Sequence, residues 1–374
     1  MAKNLLKFIP NVFTREFRHH IMKINKNVTL LSSRFDNFKF NLKRGKGNLF
    51  SYLMDRIRWH LYPRMKIVSK FPTHIDLELA NACNLGCPMC YTVTDEFKSK
   101  VTKTLMDYDL FTKIIDECSK QDSHYSIRLS WRGEPFLHPR IIDMVRYAKS
   151  KGIKEVSTLT HGGFLDPEKF EELLEIGLDW LTISFDGVDE TYEQIRFPLK
   201  YEESVNKIKK YYEIKKKHNS VKPVIKVQGV WPAIAKNPEK YFSTFTPITD
   251  QVASVPLLDY LRKDTNIEYI ENFTCPVLYQ RMTVDASGDV KLCFNDEMGS
   301  VNVGNLNKET VSQVWRGEKL QKAREIHLKH LGVKEIAPCK HCFYPRKTQK
   351  NSTEVDGRSI IFDSVSNRSQ TVGT

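Results

Sequence analysis

Six short apolar runs, at 75–79, 126–131, 155–159, 180–185, 224–230 and 252–257, alternate with amphipathic stretches at 108–120, 139–151, 167–176 and 202–217. A short run rich in Ile, Val, Leu, Thr and aromatic residues reads as a strand, and apolar positions recurring every three to four residues read as one face of a helix. Such alternation points to a parallel sheet, because parallel neighbours need a crossover long enough to hold a helix. The expected fold class is α/β. Six units over residues 73–260 fit a partial (β/α)6 barrel better than a closed eightfold one, with a doubly wound sheet as the alternative.

The pattern changes on both sides of this series. Residues 1–72 hold 16 of the chain's 58 Lys and Arg but only 3 of its 45 Asp and Glu, so the whole formal charge of +13 belongs to this segment. Leu5, Phe8, Ile9 and Val12 stand at near-helical spacing, and a second helix is expected over 49–61 after a turn at 44–47. A basic helical extension suits an anionic lipid surface, a nucleic acid or an acidic peptide; the plainer alternative is a solvated basic face. Residues 261–346 read as a small α+β module, with a hairpin made by 281–284 and 290–293 around Ser287, Gly288 and Asp289. Residues 347–374 turn polar and are expected to be disordered. No stretch approaches the ~20 apolar residues of a transmembrane span. Pro10, Arg15 and Arg18 interrupt any signal-peptide core, so a cytoplasmic protein, peripheral to the membrane if 1–72 docks there, is the expectation.

Eight cysteines complete the picture: Cys83, Cys87, Cys90, Cys118, Cys275, Cys293, Cys339 and Cys342. In a chain without a secretion signal such spacings point to metal rather than to disulfides. Cys83, Cys87 and Cys90 form a C-x3-C-x2-C loop after the first expected strand, where three thiolates can bind three irons of a [4Fe–4S] cube and leave the fourth open. A zinc site or three buried thiols is the alternative, although structural zinc wants four ligands. Cys275 and Cys293, then Cys339 and Cys342 as a C-x2-C pair, can fully ligate a second cube; a four-cysteine zinc site is its alternative. Cys118, among apolar helical neighbours, is expected in the core.

With these motifs, and others that follow the later strands in order, residues 73–346 resemble the radical S-adenosylmethionine (SAM) superfamily. Arg132, Gly133, Glu134 and Pro135 look like the family's Gly-Gly-Glu-Pro loop, which the resemblance assigns to the SAM amino group. Thr160, His161 and Gly162 stand where Thr-Asn-Gly is common. Ser184 and Asp186 match positions that meet the ribose or methionyl part, and Arg196, after Tyr192, matches the partner of the SAM carboxylate. The chemistry agrees, since a zwitterion needs a carboxylate for its ammonium and a fork of donors for its carboxylate. Against that, Glu134 and Arg196 also suit surface charges, Ser184 and Asp186 suit a helix cap, and His161 suits a turn. Two departures stand out. Arg132 replaces a glycine, and Met89 replaces the usual aromatic before the third cysteine, leaving Tyr91 as the residue expected near adenine. The C-terminal module resembles the twitch module, a shortened relative of SPASM, which implies one auxiliary [4Fe–4S] cluster.

The resemblance implies an enzyme that reductively cleaves SAM to a 5′-deoxyadenosyl radical, which takes hydrogen from an organic substrate. A two-electron oxidation of a sugar-like, lipid-linked or peptide substrate leads, with flavodoxin or ferredoxin as reductant. Redox-neutral epimerisation or cross-linking of a ribosomal peptide, and a non-catalytic iron–sulfur electron carrier, are the alternatives.

Overall fold

The computed structural model describes residues 29–30, 34–122, 124–365 and 372. Local chemistry sets the helix limits. The Asp107 carboxylate accepts from the N–H groups of Asp109 and Leu110 and starts the helix Tyr108–Ser119. Asp166 caps Pro167–Ile176, which Gly177 ends in the left-handed conformation at φ 94°. The strands are β1 (Thr29–Leu30), β2 (His74–Leu77), β3 (Ser126–Arg128), β4 (Glu155–Thr160), β5 (Trp180–Ser184), β6 (Val224–Val230), β7 (Gln251–Val255), β8 (Arg281–Val284), β9 (Asp289–Lys291), β10 (Asn302–Asn305), β11 (Gln349–Val355) and β12 (Arg358–Ser364).

β2 to β7 pair in chain order and in parallel, the partial barrel that the alternation implies. Side chains alternate across each strand. Ile75, Leu77, Ile127, Leu181, Ile183, Ile225 and Val227 belong to the main buried core. Arg128, Trp180, Thr182, Lys226 and Gln228 face a cavity instead. The polar alternate positions are therefore what give the barrel a hollow interior.

The N-terminal helices Arg34–Gly45 and Leu49–Met65 close one side of that interior. Arg44 forms a bidentate ion pair with Glu155 of β4 at 2.8 and 3.0 Å, and Phe40 packs edge-on against Trp180. β1 adds antiparallel to β7. The helix expected around Leu5 to Val12 lies outside the described residues.

At the other edge, β8 pairs in parallel with β2, from His74 opposite Arg281 to Leu77 opposite Val284. The C-terminal module thus continues the barrel sheet, through the expected hairpin β8–β9 and then β10. Trp315, fully buried, donates from Nε1 to the Ser69 carbonyl at 3.0 Å.

One expectation is corrected. The tail after 347 forms an antiparallel hairpin of β11 and β12 up to Ser364 rather than lacking structure. Asp356 and Gly357 both adopt positive φ, as a two-residue turn between strands requires, and Val355 and Ile360 are buried. The Phe362 ring packs on Trp231 at 4.7 Å. Polar composition concealed a turn signal. Residues 366–371, 373 and 374 lie outside the described part.

Candidate functional site

The loop after β2 carries Cys83, Cys87 and Cys90 to the wall of a cavity of about 230 Å³, shared with Glu134, Asp186 and Arg196. Asn81 anchors it, donating to the Thr102 carbonyl and accepting from the Thr104 N–H. Burial pushes the Cys83 thiol up to about 11 and raises Cys87 as well. Thiols so placed ionise only against a cation, which is the condition a bound metal meets.

Gly133 brings the second loop against the first. Its φ is +65°, and a Cβ there would lie 2.4 Å from the Ala80 carbonyl oxygen and 2.5 Å from that of Ala82, so only glycine permits this approach. Glu134 follows, fully buried, and accepts from Thr160 Oγ1 at 2.6 Å, from the His161 N–H at 3.0 Å and from the Phe136 N–H at 3.1 Å. Pro135 starts the short 3-10 turn Pro135–Leu137 beneath it. Burial raises the Glu134 pKa, and the Thr160, His161 and Phe136 donors counter that shift.

His161 spans the two loops. Nδ1 accepts from the Gly163 N–H at 2.9 Å, which leaves Nε2–H to donate to Asn84 Oδ1 at 2.9 Å, between the first two cysteines. Burial, with Arg196 and Lys207 nearby, lowers its pKa to about 3, so the ring is neutral.

Ser184 ends β5 at the same cavity, where Tyr91 packs between Phe97 and Tyr260. Asp186 and Arg196, assigned by sequence to different parts of one ligand, pair with each other. Arg196 Nε and a terminal nitrogen reach Asp186 Oδ2 at 2.8 and 2.5 Å, while Oδ1 accepts from the Val230 N–H at 2.7 Å.

Arg132 is a correction. Its guanidinium turns away from this cavity and grips Glu78 in a bidentate pair at 2.6 and 2.8 Å, with a third bond to the Glu297 carbonyl. A fully buried carboxylate takes the cation from the loop, because leaving Glu78 unpaired there would be costly.

Cys275, Cys293, Cys339 and Cys342 line a second, smaller pocket with Phe273, His327 and Tyr344. Asn295 Nδ2 lies 3.4 Å from Cys342 Sγ, and His327 Nε2 lies 3.5 Å from Cys339 Sγ. Burial pushes Cys275 up to about 12 and Cys342 to about 11. Among the described residues, the only group of three or more His, Cys, Asp or Glu with ligand atoms all within 4.8 Å of one another is Glu171, Glu175 and His218. Cys118 is buried in the main core, apart from both groups.

A third cavity, of about 560 Å³, lies between the other two. It shares Met89, Leu159, Gln228, Val230, Val255 and Tyr260 with the first, and Val277, Asn295 and Tyr344 with the four-cysteine pocket. Arg128, Trp180, Lys226 and Gln228 line it, and none was singled out from sequence. The signal was present as polar residues at every second place in apolar strands, which marks a face turned to something other than core.

The radical SAM superfamily profile matches residues 77–225, and that of the SPASM iron–sulfur cluster-binding domain matches 275–343. The chain carries a radical SAM domain followed by a SPASM domain. Its cofactors are the [4Fe–4S] cluster that works with SAM and auxiliary iron–sulfur in the SPASM domain, and the buried cysteine sets fit such groups. A tungsten-containing aldehyde ferredoxin oxidoreductase cofactor-modifying protein of Pyrococcus furiosus is 33% identical over 158 residues, 42% of this chain and 43% of its own. A GTP 3',8-cyclase of Synechococcus sp. is 32% identical over 116 residues, 30% of this chain and 32% of its own. The match spans less than half the length of either relative. Among solved structures, Streptococcus suis SuiB bound to S-adenosylmethionine aligns with a TM-score of 0.53 at 12% identity, covering 82% of each chain. The structure of anSMEcpe with bound AdoMet aligns at 0.52 and 16% identity, covering 69% of this chain and 81% of its own. Both likenesses establish the radical SAM fold. No helix among the described residues is long and apolar enough to cross a membrane.

Proposed function

We propose that this radical SAM enzyme oxidises an organic substrate by two electrons inside the 560 Å³ cavity. The carrying observation is that this cavity shares one wall with the Cys83, Cys87 and Cys90 pocket and another with the four-cysteine pocket. Bound together, the cluster and SAM supply a carbon radical that takes a hydrogen atom, and a fully ligated cube accepts one electron at a time. Cys83, Cys87 and Cys90 hold the first cluster in this reading, and the other four cysteines hold a single auxiliary cube.

Glu134 receives the ammonium of SAM, preoriented by Thr160 and His161. Arg196, steadied by Asp186, offers its remaining N–H donors to the carboxylate, and Ser184 faces the ribose. Tyr91 lies on the adenine side, while Pro135 and Gly133 shape the loop without polar contact. A reductant protein of the flavodoxin or ferredoxin type delivers the electron in this reading.

The test is product analysis on protein reconstituted without oxygen. Wild type should carry about eight irons, and the triple Cys83, Cys87, Cys90→Ala variant about four. Cys339→Ala with Cys342→Ala should still form 5′-deoxyadenosine but lose oxidised product. Product at the wild-type rate from that variant would favour a redox-neutral reaction instead.

The N-terminal helices support a second, independent assignment, docking on an anionic membrane. Phe35, Phe38, Phe50, Leu53 and Ile57 are exposed on them, interspersed with Lys39, Lys46 and Arg58. Apolar insertion and attraction to anionic headgroups reinforce each other on such a face.

A further inference from the structure

The large cavity holds more positive charge than its walls neutralise. Arg128 on β3 and Lys226 on β6 both line it, and Lys226 is only 6% exposed. Among the described residues, the contacts made by these two cations are with one ring, that of Trp180. The Arg128 guanidinium lies 5.9 Å and the Lys226 ammonium 5.2 Å from its centroid. The carboxylates in the neighbourhood are committed elsewhere. Asp76 pairs with Arg281 and His74, and Glu155 takes both arms of Arg44.

Two cations without a carboxylate in contact, Arg128 feeling only the already paired Asp76 and Glu155 at longer range, are expensive to keep beside a cavity, and a fold retains such a cost where a ligand repays it. Two residues of the cavity wall also carry an unpaired polar atom. Trp180 Nε1–H and Gln228 Oε1 are buried without a hydrogen-bond partner, and both residues line the cavity. Gln228 stands on the wall shared with the Glu134 cavity.

We propose that Arg128 and Lys226 bind an oxyanion of the substrate, a carboxylate or phosphate group, and so turn the rest of the molecule toward Gln228 and Met89 on the shared wall. This rests on the reading of the cavity as the substrate site. It narrows the substrate to an anionic molecule and makes the two cations specificity determinants. Burial, with the guanidinium groups of Arg128 and Arg44 nearby, lowers Lys226 to about 7, so a docking anion would restore the full ammonium.

The experiment is calorimetric titration of the full-length, cluster-loaded protein, SAM present, with three probes: phenyl phosphate, benzoate and the neutral benzyl alcohol. Both anions should bind and compete with each other, and benzyl alcohol should bind at least tenfold more weakly. Lys226→Met and Arg128→Met should each weaken the anions at least tenfold, and Lys226→Arg should keep most of the affinity. Whichever anion binds more tightly identifies the oxyanion as phosphate or carboxylate. Iron content and SAM affinity separate the two levels of the reading. Wild type without iron or SAM binding would sink the enzyme assignment itself. Intact iron and SAM binding, with benzyl alcohol held as tightly as benzoate or with anion affinity unmoved in the Arg128→Met, Lys226→Met double variant, would overturn the anion site alone. A ligand-free measurement adds a check: Lys226→Met should raise the apparent melting temperature by removing an unpaired buried charge, and a fall would mean that the amine is structural.

Discussion

Arg44→Met separates a detachable N-terminal extension from one that belongs to the barrel. Arg44 reaches Glu155 with two hydrogen bonds at 2.8 and 3.0 Å, both side chains are buried, and the guanidinium sits 4.2 Å from the Trp180 centroid. Methionine fills much of the volume but leaves the Glu155 carboxylate buried without its partner. Breaking one side of such a pair costs about 3–5 kcal/mol. An unfolding entropy of roughly 2.1 cal/mol/K per residue gives ~0.8 kcal/mol/K for this chain, so the apparent melting temperature should fall by about 4–6 °C. Removing both partners, as Arg44→Met with Glu155→Met, should recover much of that loss. Thermal unfolding followed by circular dichroism on iron-loaded protein reads all three variants. The pair also fixes a pH dependence. Arg44 holds the Glu155 pKa below the ordinary carboxylate value, so its stabilisation is present above the unfolded value of ~4.5 and fades as pH falls through the folded one. The difference between wild type and Arg44→Met should therefore shrink in acid. A single variant within about 1 °C of wild type, or a double variant losing as much as the single losses combined, would refute the coupling and leave the helices as a loose appendage.

Arg132→Gly, which restores the glycine expected in that loop, should lower stability without improving SAM affinity, because it strands the buried Glu78; calorimetric SAM titration and thermal melts check both halves. His74 and His124, buried and lowered to about 4, are neutral when folded but take up protons when unfolded below ~6.5, so stability should decline from pH 6.5 towards 4. The slope should approach ~1.4 kcal/mol per pH unit for each histidine, measured by urea unfolding across that range. Phe35→Ser, Phe38→Ser and Phe50→Ser together should abolish cosedimentation with anionic vesicles at low salt while iron content stays unchanged; wild type that ignores such vesicles would remove the membrane assignment. Deleting residues 1–68 should lower iron loading, measured by iron analysis of the reconstituted protein, since Trp59 and His60 line the central cavity and Arg44 is part of the barrel.

Much of this was legible in sequence because it is local. The strand at Val224–Val230 and the helix at Pro167–Ile176 follow from apolar periodicity and from Asp166 and Gly177 at the helix ends. Gly133 and Glu134 were legible as a loop because strand, glycine and acid stand in one short run. The hairpin at Asp356 and Gly357 was equally local, yet polar neighbours such as Asn351, Ser352 and Thr353 masked its alternation. Arg128 and Lys226 were overlooked for a different reason. A single cation within an apolar strand has the same sequence signature whether it faces solvent, an acid or a cavity.

The sequence by itself determined the β/α order, the two cysteine sets and the loops that follow each strand, since hydrophobic period, capping and spacing act between near neighbours. Only the tertiary structure decided which charges meet. Arg44 finds Glu155 across 111 positions, and Arg281 finds Asp76 across 205. Arg132 chose Glu78 over the cavity that its loop borders, while Asp186 and Arg196 chose each other. Pairing of β8 with β2 set the four-cysteine pocket against the central cavity. Burial makes such choices steep, because a charge removed from water must take whichever partner the packed chain brings within reach.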